Sequence, residues 1–193
     1  MSPATSSFSQ PTSMAQDLRI LYFVRAAFAL LWAGLLAAQL PALTPLLLVL
    51  YPIWDVLATF ADLRASRRSN REATGPRYLN ILIGLATAAA VVVALQQGTA
   101  AVLAVFGAWA ILTGFIQLIL GWRRQRAVGG QWPMMLSGGQ SALAGTAFIL
   151  LAHSPSLGIK SLVGYAAFGG FYFLLAAWRL HATKPAALSD TVS

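Results

Sequence analysis

Six apolar runs, each near twenty residues long, follow one another at 18–40, 44–63, 78–95, 100–122, 132–152 and 157–178. A run of ~20 apolar residues is what spans the ~30 Å hydrocarbon layer of a bilayer. Backbone amides and carbonyls cannot stay unpaired in lipid, so each run must form a helix. The runs lack period-two polarity and are too long for barrel strands, which argues against a membrane β-barrel. The expected fold is therefore all-α: an integral membrane bundle of six transmembrane helices over residues 17–180. Residues 1–16, rich in Ser, Thr, Pro and Gln, are expected to form a disordered tail. Residues 181–193 read as a second tail.

Composition agrees. Only 9% of the 193 residues are charged and 58% are hydrophobic, whereas soluble domains carry about a quarter charged residues. The net charge of +8 could suggest nucleic acid in a soluble protein, but the basic residues cluster at the ends of apolar runs and form no soluble basic face. The natural partner is the lipid bilayer. A homo-oligomer is left open, and no protein partner is identifiable.

The connectors alternate in kind. "QLPALT", "QQGT" and "AHSPSLG" are short and nearly uncharged, while "RASRRSNREATGPR", "RRQRAVGGQ" and "RLHATK" are basic. Of the 13 Arg and Lys residues, 11 fall on one side. The positive-inside rule then puts both termini and both long connectors in the cytoplasm. Six spans independently require both termini on one side. The location implied is the cytoplasmic membrane, crossed many times.

The alternation suggests three hairpins, at 18–63, 78–122 and 132–178. Aligning "AWAILTGFIQLILGWRR" with "GYAAFGGFYFLLAAWRL" matches Gly114 to Gly170, Trp122 to Trp178 and Arg123 to Arg179. Tyr51, Trp109 and Tyr165 share one position, and so do Asp55, Thr113 and Gly169. Val56 stands where Gly114 and Gly170 stand. Tyr78 and Gly84 match Trp132 and Gly138. Small residues recur every seven positions, at Gly107, Gly114 and Gly121 and again at Gly138 and Gly145. With Gly170 in the last helix, they form a stripe suited to close, left-handed helix packing. The other reading of that stripe is the lining of a pore.

The stretches "WAILTGFIQLILGWRR", "GGQWPMMLSGGQSALAGTAFILL" and "GYAAFGGFYFLLAAWR" resemble the HdeD-like bacterial multi-pass membrane proteins, which are built from a repeated hairpin. The shared features are an aromatic followed five residues on by glycine, a basic stop after the even helix, and a Trp before a helix with two glycines seven apart. The resemblance covers about residues 18–180. The family's aspartate–glycine pair appears here as Asp55-Val56, so its glycine is lost, and Val91 stands where Gly145 stands in the last hairpin. The resemblance implies an association with acid resistance and envelope stress. It carries no catalytic residue.

Ionisable residues inside a membrane are costly and mark functional candidates. Three occur here: Arg25, Asp55 and Asp62. Reflection about the first turn puts Arg25 level with about residue 58, within about 6 Å along the axis of either carboxylate. Asp55 and Asp62 are seven apart and share a helix face. Arg25 is expected to hold the two carboxylates, with Asp62 held also by the cytoplasmic arginines. The cluster reads as a structural ion pair, as a proton-responsive switch or as part of a solute path. Asn80, Gln117 and Gln140 are weaker polar signals, ordinarily structural. His153 and His181 fall on opposite sides and cannot act together.

Catalysis is not expected. There is no cysteine, HExxH, Walker loop or GxSxG, and the two aspartates are about 10 Å apart along their helix. No cofactor or metal is expected either. The expected function is non-enzymatic service in acid or envelope stress. The alternatives are a small transporter or channel for protons or a small solute, and a membrane scaffold that modulates a partner.

Overall fold

The computed structural model describes residues 10–68 and 74–182. Six helices account for most of them: α1 (Gln10–Ala37), α2 (Thr44–Arg68), α3 (Gly75–Gln97), α4 (Thr99–Val128), α5 (Trp132–Leu150) and α6 (Lys160–Ala182). Five are long and apolar enough to cross a membrane; α5 is the exception. It is 19 residues long, about 28 Å at 1.5 Å per residue, but Ser137, Gln140 and Ser141 dilute its apolar content. The chain is a multi-pass helical membrane bundle.

Several boundaries differ from the sequence reading. Helix α1 begins at Gln10, inside the stretch 1–16 expected to be a disordered tail; residues 1–9 lie outside the described residues. The basic run after residue 122 is mostly helix, since α4 continues through Arg123, Arg124 and Arg126 to Val128. Charge marks where the lipid ends, not where the backbone stops helical pairing. The turn comes at Gly129 and Gly130, with φ of 68° and 66°, a left-handed conformation that glycine adopts without steric cost. The C-terminal tail at 181–193 lies outside the described residues except for the end of α6.

The helices form a ring in chain order, closed by α6 packing on α1. The most extensive packing is between α4 and α5, then between α1 and α6; the sparsest is within the first and last hairpins. Helices joined by the short connectors are thus not the closest partners. Small residues explain this. A Cβ placed on Gly114 would lie 2.6 Å from the Gly138 carbonyl oxygen, and one on Gly107 would lie 2.6 Å from that of Gly145. Backbones this close exclude any side chain between them. A Cβ on Gly138 would meet Gly114 and Leu118, one on Gly145 would meet Gly107 and Ile111, and one on Gly121 would meet Met135 at 3.1 Å. Gly170 does the same job between α6 and α1, where a Cβ would sit 3.0 Å from Leu30.

The repeat is visible in these contacts. Gly114, Gly170 and Val56 hold equivalent positions, and each faces the next odd helix around the ring. Val56 has no glycine of its own, but Gly84 opposite it makes room; a Cβ on Gly84 would overlap Val56 Cγ2 at 2.5 Å. The bulk has moved from one helix of the pair to the other.

The outside of the ring is apolar and exposed. Leu143 is 75% exposed and Leu82 66% exposed, as expected of side chains that meet lipid tails instead of water. Inside, one end of the bundle holds an apolar core of Trp32, Leu36, Leu48, Leu103, Phe106 and Leu162 with their neighbours. The opposite end carries the arginines.

Candidate functional site

Between the apolar core and the basic end lies a cavity of about 110 Å³. All six helices line it. Tyr51 and Trp109 bound it towards the apolar core; Tyr22, Asp62 and Arg124 bound it towards the basic end. Tyr51 and Asp62 are eleven residues apart on α2, about 16 Å along its axis. The two repeat-equivalent sets, Tyr51/Trp109/Tyr165 and Asp55/Thr113/Gly169, all face it. It is therefore the centre of the repeat as well as of the ring.

Two ionic groups sit on its wall. In the first, Arg25 Nη1 donates to Asp55 Oδ1 at 2.7 Å. Arg25 Nη2 donates to Thr59 Oγ1 at 3.1 Å. Asn80 Nδ2 donates to Asp55 Oδ2 at 2.7 Å and to Thr59 Oγ1 at 2.9 Å. Helical spacing explains the set, because Thr59 follows Asp55 by one turn and shares its face. The Arg25 guanidinium also lies 5.5 Å from the Phe173 ring centroid, within cation–π range.

The second group is centred on Asp62. Arg124 Nη2 donates to both its carboxylate oxygens, at 2.7 and 2.6 Å. Arg77 Nε donates to Oδ2 at 2.9 Å. Arg124 Nη1 donates to the Tyr22 hydroxyl at 3.2 Å, and that hydroxyl donates to Gln131 Oε1 at 2.8 Å. Gln131 is held by the glycine turn: its side-chain Nε2 donates to the Gly129 carbonyl at 3.2 Å, and its backbone N–H donates to Gln125 Oε1 at 2.5 Å. The network ties α1, α2, α3, α4 and the α4–α5 turn together at the basic end.

Exposure separates the two groups. The side chains of Asp62, Arg77 and Arg124 are 7%, 0% and 5% exposed; those of Arg25 and Asp55 are 17% and 16% exposed. The Asp62 cluster is nearly closed off, although Asp62 and Arg124 border the cavity, while Arg25 and Asp55 keep more surface on it. A dry ionic cluster with good geometry fixes a conformation. A pair with open surface can exchange partners.

Of the three ionisable residues singled out in the sequence, Arg25 and Asp55 form one pair and Asp62 belongs to the other cluster. Arg25 therefore does not bridge both carboxylates. The six glycines at 107, 114, 121, 138, 145 and 170 lie at helix interfaces, and among them only Gly121 borders the cavity. Sequence reasoning did not single out Thr59, Tyr22 or Gln131. Thr59 carried a signal, one turn from Asp55; Tyr22 carried one too, three residues before Arg25 on the same face. Gln131 carried none, because a turn placed it. Gln117 and Gln140 both line the cavity, and Gln117 Nε2 donates to the Met134 carbonyl at 3.2 Å.

Aromatic rings form part of the cavity wall. Phe28 stacks on Trp54 with centroids 4.3 Å apart, and Tyr51 meets Trp109 edge-on at 5.5 Å. Fold and site together define a multi-pass helical membrane protein with a charged, partly aromatic cavity among its helices. Compared with family models, curated proteins and solved structures, the chain finds no significant match.

Proposed function

We propose that this chain is a non-enzymatic membrane protein that admits a small polar solute to its central cavity and passes it across the bilayer. The observation that carries the reading is the Arg25–Asp55 pair, which lines the cavity and keeps more open surface than the buried Asp62 cluster beside it. A purely structural pair gains nothing from a cavity beside it, since an open wall forfeits packing. The resemblance to the HdeD-like family supplies the setting, acid or envelope stress in a bacterial cytoplasmic membrane. The positive-inside rule supplies the orientation, with the basic end and both termini in the cytoplasm.

Reconstituted liposomes test the function. Swelling under gradients of small polar solutes is expected to be faster with the protein than in empty liposomes. It should be lost in both Asp55→Asn and Arg25→Gln. Proton flux under an imposed pH gradient, measured in the same liposomes, reads the proton route separately. No flux of either kind, with all proteins folded, favours the scaffold alternative. Orientation has its own test, helped by the absence of cysteine. A single cysteine at Ser156, in the exposed loop before α6, should react with an impermeant thiol reagent on intact cells. One at Arg126 should react only after lysis.

A further inference from the structure

We infer that the cavity is a binding site for a small zwitterion, a molecule carrying one ammonium and one carboxylate on a few carbons. The inference rests on the solute reading above and names the class of solute.

Charge complementarity carries the argument. A ligand reaching the Arg25–Asp55 pair competes with a 2.7 Å ion pair. A lone anion that took Arg25 would strand Asp55 in the membrane interior, and a lone cation that took Asp55 would strand Arg25. Stranding a buried charge is strongly unfavourable. A neutral molecule cannot replace either partner. A zwitterion replaces one ion pair by two, its carboxylate on Arg25 and its ammonium on Asp55, and leaves no charge uncompensated.

The surroundings are built for such an exchange. Each partner has a second hold that survives when the direct bond opens: Thr59 on Arg25, and Asn80 on Asp55. Aromatic rings attract an ammonium group, and Phe28, Tyr51, Trp54 and Trp109 line the cavity. The Trp109 indole N–H has no hydrogen-bond partner among the described residues; a buried donor of this kind calls for an acceptor such as a carboxylate or a water. Size limits the ligand. The cavity, about 110 Å³, is smaller than the ~150 Å³ engineered cavity that takes benzene. That volume suits glycine or alanine.

Binding of isotopically labelled glycine and alanine to the purified, full-length protein in nanodiscs tests the assignment. Ethylamine, propionate and propionamide serve as charge-deleted comparators, and they need no variant. Both amino acids are expected to bind saturably, each comparator at least about tenfold more weakly. Asp55→Asn and Arg25→Gln should each abolish the difference. A comparator that binds as tightly as glycine overturns the zwitterion and leaves the solute reading standing. So does an absence of all binding when the swelling assay shows permeation. Absence of both binding and permeation overturns the two together.

Discussion

Asp62→Asn is expected to destabilise the bundle by about 3–5 kcal/mol, the cost typical of removing one partner from a buried ion cluster. The change is nearly isosteric, so packing is not the cause. Asn cannot balance the two guanidiniums that meet Asp62 at 2.6 to 2.9 Å. Both arginines then remain in a site where the Arg77 side chain is fully buried and that of Arg124 nearly so. Urea or thermal unfolding of the detergent-solubilised protein measures the loss. Asp55→Asn should cost clearly less, because water or ligand in the cavity can still solvate Arg25. The cost at Asp62 comes from stranded charge. Converting Asp62, Arg77 and Arg124 together to apolar residues of similar volume should therefore recover part of the stability. Equal losses at Asp55 and Asp62 would remove the distinction between an open pair and a nearly closed cluster.

Gly114→Ala is the second large effect. The added Cβ would fall 2.6 Å from the Gly138 carbonyl oxygen and 3.0 Å from Ser141 Cβ. Its nearest neighbour is backbone, which cannot rotate away, so α4 and α5 must separate. Overpacking of this kind costs about 1–3 kcal/mol. Gly164→Ala is the control. Nothing lies within 4 Å of its Cβ position, and alanine favours helix over glycine by up to about 1 kcal/mol. Unfolding measurements on the two variants should move in opposite directions. A Gly114→Ala variant as stable as the parent would mean that the close glycine contacts between α4 and α5 are not what holds them together.

Much of the architecture was legible because lipid allows few solutions. Apolar runs of the right length had to be helices, and six of them alternating with basic and uncharged connectors had to form an up-and-down bundle. Which helices pack tightest was not legible from connector length. Loops dictate which helices are neighbours in the chain, while Gly107, Gly114, Gly138 and Gly145 dictate how closely backbones approach. Boundaries were poorly legible where charge and helix overlap, as in the last turns of α4. The level of Arg25 against α2 could be worked out from helical rise. Its choice of Asp55 over Asp62 could not, because that depends on Arg77 and Arg124 reaching inward from stretches that count only as topological charge in the sequence. The cavity itself was invisible, since no linear pattern reports the space enclosed when a ring of helices closes.

The central claim is that water reaches Arg25 and Asp55 inside the bundle while the neighbouring apolar core stays dry. Thiol reactivity reads this directly in a chain without cysteine. Thr113→Cys would place a thiol on the cavity wall; Ala166→Cys would place one in the apolar core, where Ala166 is 0% exposed. In membranes treated with a small, water-soluble thiol reagent, the thiol at 113 should react readily and the thiol at 166 should not. Two equally inert thiols, in folded proteins, would contradict that claim and leave Arg25 and Asp55 as a purely structural pair.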